Sequence, residues 1–536
     1  VEQTLVKTNV KFKISIYVGV LLLIVVFGVA FLQISASQAF VPSTDKEVIG
    51  EGIVVIRSLD NSQIKLINQV DGYSVILPAE LQVVDTSSTD IRIVLEDKHR
   101  VLEIYKQPIY SGISANVYIS YSNRFLQNAV DHKMEYFAKV DINGYPAVIH
   151  QWSRKKLSKV ENDKNYYACI DIIEKDYVYT FFIKSDVPFY ITGGYMNLLD
   201  SFSTFAPSAN PTSLKIKQTE NSLWDTETKA FYEKYFSSDS DLTWGIFEYS
   251  APETFGILDS LENKLDYNFE FLLVYKSIQK TYPTNYVKDT LERAYDRGRT
   301  VELTLQTTSQ DAGEGNMVYD ILDGKYDSFL KSFAAETAEF GHSVLFRFCN
   351  EMNGDWCEYS GYHTSRDPHL FKELYKYVYR IFEEAKADNV IWVWNPNEKS
   401  FPNFKWNSEI MYYPGDEYVD IVGLTGYNNG TYYQGETWRS FTEIYDPLYQ
   451  RMASISEKPL MITEFSSSSI GGNKEEWVKN MFANIYKYPK IKVAIWWNGC
   501  DWDTQGNIAR PYFINETEGL VDIFRQNLQH YKKPVK

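Results

Sequence analysis

The chain has 536 residues, 44% of them hydrophobic and 16% aromatic, and a formal net charge of −16. That length exceeds what one ordinary core supports, so at least two folded units are expected, and the acid surplus argues against a nucleic-acid partner, whose phosphates require a basic surface. With 41 Tyr and 12 Trp there are more rings than cores alone absorb, which suits a neutral polymer such as a polysaccharide, whose pyranose faces stack on aromatic side chains.

Residues 1–13 carry Lys7, Lys11 and Lys13, and an uncharged apolar run follows from Ile14 to Ile34. The run is long enough to cross a bilayer with the lysines left in the cytoplasm, so a single membrane anchor is expected, with the rest of the chain outside the cell. The alternative is a cleaved signal ending near Ser37-Gln38-Ala39, which would make the protein secreted; the run is longer than the apolar core of a usual signal peptide and favours the anchor.

Between residues 48 and 205 short alternating runs such as Ile91-Arg92-Ile93-Val94-Leu95 and Tyr177-Val178-Tyr179-Thr180-Phe181 predict antiparallel strands. Helices are expected near 123–137 and 195–205, giving a small α+β domain. It has no acid/base pair, nucleophile motif or glycine-rich loop, so its expected role is that of a spacer, a glycan contact or a dock for a partner such as membrane polysaccharide-synthesis machinery. The Pro/Ser/Asn-rich stretch Ala206-Pro207-Ser208-Ala209-Asn210-Pro211 opens a linker over 206–221.

From residue 222 to the end at 536, strand-like apolar runs alternate with helical patterns. The strands fall at 243–249, 268–275, 300–306, 343–350, 389–395, 419–425, 459–464 and 492–497. Helices are expected at 286–297, 326–340, 368–387, 475–488 and 518–530. The alternation predicts a (β/α)8 TIM barrel; a doubly wound open sheet is the alternative, but no glycine-rich phosphate turn follows the first strand.

In such a barrel the reactive groups lie where strands end and loops begin, at the carboxyl face. Glu351 closes the fourth strand, next to Asn350 and ahead of Trp356, and Glu464 closes the seventh. Two strand-end carboxylates flanked by aromatics suit general acid and nucleophile roles in cutting a glycosidic bond. The cysteines Cys169, Cys349, Cys357 and Cys500 show no metal-ligand spacing, and the His residues do not cluster with them. Either Cys349 bridges Cys357 or Cys500, or all four are free buried thiols. No cofactor or metal is implied, since protonation and a carboxylate nucleophile suffice.

Several ordered motifs carry a family resemblance: Gly324-Lys325-Tyr326-Asp327, Arg347 through Trp356, Val393-Trp394-Asn395-Pro396-Asn397, Tyr413-Pro414-Gly415-Asp416 and Ile462-Thr463-Glu464-Phe465. Over residues 222–531 the chain resembles glycoside hydrolase family 26, of the clan of retaining (β/α)8 glycosidases, known for endo-β-mannanases and some β-glucanases and xylanases. The resemblance implies that Glu351 is the acid/base and Glu464 the nucleophile, with Asn350, Trp356, Tyr427, Trp497, Arg347 and Trp394 around the substrate. It has Trp356 touching sugar near the cleavage point, Tyr427 hydrogen-bonding the nucleophile, and Trp497 rather than its neighbour Trp496 flooring the subsite of the attacked sugar. Mannanases of this family usually place His before the acid/base; Asn350 stands there instead, as in the wider clan, where it bonds the sugar 2-hydroxyl. That departure raises a β-glucan beside mannan as the substrate. The expected protein is a membrane-tethered extracellular endo-β-glycanase; the alternative is a non-catalytic glycan-binding or matrix-assembly protein on the same scaffold.

Overall fold

The computed structural model describes residues 40–110, 112–191, 199–307 and 315–532. The expected anchor at 14–34 lies outside them, and among the described residues no helix is long and apolar enough to cross a membrane.

The eight strands of the carboxyl-terminal region close into a parallel barrel. They are β1 (Thr243–Glu248), β2 (Phe271–Ser277), β3 (Thr300–Gln306), β4 (Val344–Phe348), β5 (Val390–Trp394), β6 (Ile421–Thr425), β7 (Leu460–Phe465) and β8 (Ile491–Asn498). Side-chain alternation sorts each strand into two faces. Phe271, Leu273, Leu345, Ile391, Val393, Ile421, Met461, Val493 and Ile495 pack with one another inside the barrel. Their neighbours Leu272, Val274, Phe346, Trp392, Val422, Ile462 and Trp496 pack outward under the helices. Both faces of every strand are covered, which is why these strands read as apolar runs.

A helix not foreseen, Thr226–Phe236, precedes β1 and starts at Asp225, whose carboxylate accepts from the Thr228 amide at 2.6 Å. It plugs the amino-terminal end of the barrel: Tyr235 and Phe236 join the interior core beside Phe271 and Leu345. With that end closed, the carboxyl face is left as the open mouth.

The preceding region is built differently from expectation. Five short strands between Pro42 and Thr204 form one antiparallel sheet, and a second sheet of seven runs in the order 82–85, 92–96, 100–108, 177–185, 166–174, 145–153 and 133–142. The helix expected at 123–137 is replaced by a helix at Ala115–Ser122, a short 3-10 turn at Arg124–Gln127 and the strand Lys133–Ile142. Of the one expected at 195–205, residues 192–198 lie outside the described set, and Ser203–Thr204 is a strand paired with Tyr73 and Ser74. The four central strands of the larger sheet, 100–108, 145–153, 166–174 and 177–185, are buried on both faces. Ile104, Ile170, Phe181 and Ile183 meet the smaller sheet, whereas Tyr105, Trp152, Tyr167 and Phe182 belong to the same core as the barrel's helical layer.

The segment read as a linker is sewn down. The Thr212 amide donates to Thr89 Oγ1 at 2.7 Å, Ser213 Oγ donates to Asp90 at 2.7 Å, and the Ile216 amide donates to the Ile455 carbonyl at 2.7 Å.

Candidate active site

Glu351 follows β4 in a turn where Cys349 and Glu351 both adopt left-handed backbone, with φ of 50° and 56°. Non-glycine residues rarely hold that conformation, and when surroundings fix it the site is often functional. The Cys349 amide donates to the Leu305 carbonyl of β3 at 2.9 Å, and the Glu351 amide to the Asn395 carbonyl after β5 at 2.7 Å. Both neighbouring strands thus pin the turn.

Trp356 arches back over this turn. Its Nε1 lies 3.4 Å from Glu351 Oε2, its ring centroid lies 5.4 Å from that of Phe401, and the two side chains are 53% and 44% exposed. A Cβ on Gly354 would come within 2.5 Å of the Trp356 ring, so only glycine lets the indole lie flat there. The two rings make an exposed platform beside the acid.

Glu464 reaches the interior through a fault in the sheet. The pairing of β7 with β8 shifts register between Ile462 and Phe465, and its pairing with β6 shifts between Leu424 and Thr425. Thr463 bonds to inward-facing Thr425 at 3.2 Å, and yet the next residue, Glu464, also points inward to Arg347 and Tyr275. A bulge turns both side chains to one face. Arg347 Nη2 donates to Glu464 Oε2 at 3.0 Å, and the Tyr275 hydroxyl donates to the same oxygen in a short hydrogen bond.

Arg347 is fully buried. Its Nε–H points to Thr304 Oγ1 at 2.7 Å and its Nη1 donates to Asn395 Oδ1 at 3.0 Å. Glu302 Oε1 stands 3.1 Å from that same Nε without receiving its proton, and neither Glu302 oxygen has a hydrogen-bond partner. Burial pushes the Glu302 carboxyl up to about 8, against the pull of Arg347. Burial, and then the negative charge of Glu464, raise Glu351 to about 8 as well. A carboxyl that keeps its proton at neutral pH beside a carboxylate held by a cation and a phenol is a division of acid and nucleophile.

Trp497 faces the barrel mouth, stacked on Phe247 with centroids 5.0 Å apart and planes 14° apart, while Trp496 is fully buried on the outer face. Asn350 is nearly covered, and its side-chain oxygen has no partner. Three expectations need correction. Trp394 is fully buried on the outer face of β5, edge-on to Tyr413, and cannot meet a substrate, because alternation sends its neighbours Val393 and Asn395 inward. Arg347 is sealed beneath the carboxylates and acts on Glu464 rather than on a sugar. The hydroxyl on Glu464 is that of Tyr275; Tyr427 instead sits against Trp497 and Tyr512, with centroids 6.4 and 5.4 Å away. Tyr275 and Glu302 were missed, although the inward phase of Phe271 and Leu273 on β2, and of Thr304 on β3, gives both away. All four cysteines are free thiols, and among the described residues no group of three or more His, Cys, Asp or Glu could hold a metal ion.

Known proteins resemble this chain over part of its length. Endoglucanase H of Acetivibrio thermocellus is 32% identical over 230 residues, 42% of this chain and 25% of that protein. A mannan endo-1,4-beta-mannosidase of Bacillus subtilis is 34% identical over 166 residues, 30% of this chain and 40% of that protein. The chain therefore spans less than half the length of either curated relative. The solved Bacillus subtilis mannanase BCman superposes with a TM-score of 0.40 at 20% identity, covering 56% of this chain and 91% of that chain. Residues 303–490, which include both strand-end glutamates, match the family model of glycosyl hydrolase family 26, so this stretch of the barrel carries that family's signature.

Proposed function

We propose that the protein is an endo-acting β-glycanase that cleaves a β-1,4-linked glucan or mannan with retention, by double displacement. The observation that carries this reading is the pairing of a proton-holding Glu351 beneath Trp356 with a Glu464 whose charge is held by Arg347 and Tyr275.

In the first step Glu464 attacks the anomeric carbon while Glu351 gives its proton to the departing glycosidic oxygen; the carbon–oxygen bond breaks and a glycosyl ester forms on Glu464. Esterification removes the charge that raises Glu351, so its carboxyl becomes a stronger acid and stays ionised once the leaving sugar has taken the proton. In the second step Glu351 takes a proton from water, the water oxygen attacks the anomeric carbon, and Glu464 is released as carboxylate. Trp356 with Phe401, and Trp497 on Phe247, supply stacking faces for sugar rings. With its Oδ1 sealed, Asn350 has its amide NH2 left to meet a sugar hydroxyl.

The name of one relative, a mannan endo-1,4-beta-mannosidase, supports a β-1,4 linkage, and that of another, an endoglucanase, supports internal cleavage of a glucan. The apolar run from Ile14 to Ile34 supports action outside the cell from a membrane tether.

The test is to incubate the whole chain and its Glu464→Ala variant with β-mannan, carboxymethylcellulose, mixed-linkage β-glucan and β-xylan, counting reducing ends and following the first anomer by NMR. Activity on one polymer, lost in the variant and releasing the β-anomer first, is expected. Release of the α-anomer would overturn retention. Silence of the folded protein on all four polymers would overturn the activity.

A further inference from the structure

The loop that leaves β4, residues 349–368, carries Glu351 and Trp356 and then runs straight into the barrel-facing side of the larger sheet. Arg366 is fully buried there. Its Nη2 donates to the Tyr118 hydroxyl at 2.6 Å, its Nη1 to Cys169 Sγ at 3.0 Å, and Asp171 Oδ2 lies 3.5 Å away as counter-charge. The next residue, Asp367, accepts from Lys184 at 3.1 Å, and Lys184 also bonds Glu103 at 2.8 Å. Ser365 and Arg366 both hold left-handed backbone, with φ of 57° and 56°; non-glycine residues stay in that region only where their surroundings over-determine it. At the other end of the loop, Tyr121 donates a short hydrogen bond to the carboxylate of Asp355, immediately before Trp356, and its ring lies 5.0 Å from that of Tyr362. His363 Nε2 closes the loop on itself, 2.6 Å from the Asp355 carbonyl.

Buried ion pairs are a poor way to stabilise a fold, because desolvation offsets most of their attraction; where they matter, they fix one arrangement among several. Both of these buried loop charges, Arg366 and Asp367, belong to the one segment that also bears the acid. We propose that the two-sheet domain is a positioning element of the catalytic site, fixing through Tyr121 and Arg366 the loop that presents Trp356, and that it thereby sets affinity for the sugar stacked on that ring. This rests on the glycanase reading. The acid itself is pinned separately, by the backbone bonds of Cys349 and Glu351 to β3 and β5. The domain's influence therefore falls on binding more than on turnover.

The test uses the whole chain with Tyr121→Phe, which removes one oxygen and no ring, and Arg366→Lys, which keeps the charge and loses the planar fork. Deuterium uptake by the peptide spanning residues 351–357 is followed with the melting temperature, kcat, KM and, on a Glu464→Ala background, binding of cellohexaose and mannohexaose. Tyr121→Phe is expected to speed uptake in that peptide and to weaken binding and raise KM roughly tenfold, with kcat within about threefold. In a Tyr121→Phe/Asp355→Asn pair the effects should not add. Unchanged uptake overturns the proposal whatever the activity, as does faster uptake with unchanged binding. A lower melting temperature with binding and KM unmoved would make the contact merely structural and overturn it too. If the parent chain cleaves and binds nothing, the glycanase reading fails instead, and the uptake comparison still decides whether the sheet holds the loop.

Discussion

Arg347 Nη2 stands 3.0 Å from Glu464 Oε2 inside the barrel, and it is the positive charge in direct contact with that carboxylate. Replacing it with methionine fills the space but leaves the Glu464 carboxylate buried without a counter-charge. Arg347→Met should cost about 3–5 kcal/mol of stability, read from urea unfolding at pH 7. Arg347→Lys should fall in between, since a single ammonium nitrogen keeps the charge but loses the planar fork whose separate nitrogens reach Thr304, Asn395 and Glu464.

Glu302 makes stability depend on pH in an unusual direction. Its carboxyl is raised to about 8 in the folded chain, whereas the unfolded chain gives up that proton near pH 4.3. Between those values the folded state binds one more proton than the unfolded state, so its contribution to stability is full below pH 4 and is lost as pH rises through 8. Glu302→Gln keeps the neutral shape. It should flatten the fall in unfolding free energy between pH 5 and 7.5 by about 1 kcal/mol per pH unit, measured by denaturant titration at several pH values.

The raised carboxyl of Glu351 predicts the pH–rate profile. As the general acid it works protonated, so kcat/KM should fall above pH 8, where it ionises. On an activated aryl glycoside, whose leaving group needs no proton, Glu351→Ala should retain the first step and lose that alkaline limb. A limb that persists in the variant would assign it to another group.

Tyr275 holds the nucleophile by its hydroxyl alone. Tyr275→Phe should lower kcat roughly 10–100-fold, the worth of a hydrogen bond to a charged group, with the melting temperature little changed. Tyr427→Phe should do less, because its hydroxyl makes no hydrogen bond to Glu464. Initial rates on the preferred polymer separate the two.

The strand-end tryptophans of β5 and β8 should behave oppositely. Trp394→Phe opens space in the outer core and should cost about 1–3 kcal/mol with KM unaltered. Trp497→Ala should raise KM at least severalfold, with a smaller loss of stability, because it removes a stacking face at the mouth. Denaturation curves and Michaelis plots on the two variants check this.

What the sequence showed depended on how local the cause was. The barrel was legible because each strand is an apolar run between polar breaks, and the glutamates because they stand where those runs end. Period-two alternation lets only one of Trp496 and Trp497 face the mouth, and the family resemblance pointed to Trp497; the same alternation applied to β5 would have removed Trp394. The inward turn of Glu464 was not legible, since a one-residue bulge depends on pairing with β6 and β8 rather than on its own neighbours. The inward direction of Tyr275 follows from its phase on β2, but its bond to Glu464, 189 residues along the chain, does not. The runs between 145 and 185 look like half-exposed strands. Their second buried face is covered by Arg366 and Asp367, which the local pattern cannot reveal.

The sheet covered on both sides also has a consequence for synthesis. The ribosome delivers residues 100–185 first, and the loop that covers their barrel-facing side, ending at Asp367, emerges more than a hundred residues later. At a few to about twenty residues per second, Trp152, Tyr167 and Phe182 face water on the nascent chain for on the order of ten seconds or more. During that interval the half-finished protein presents an aromatic surface to whatever chains lie beside it, and its yield depends on what shields that surface until the barrel arrives.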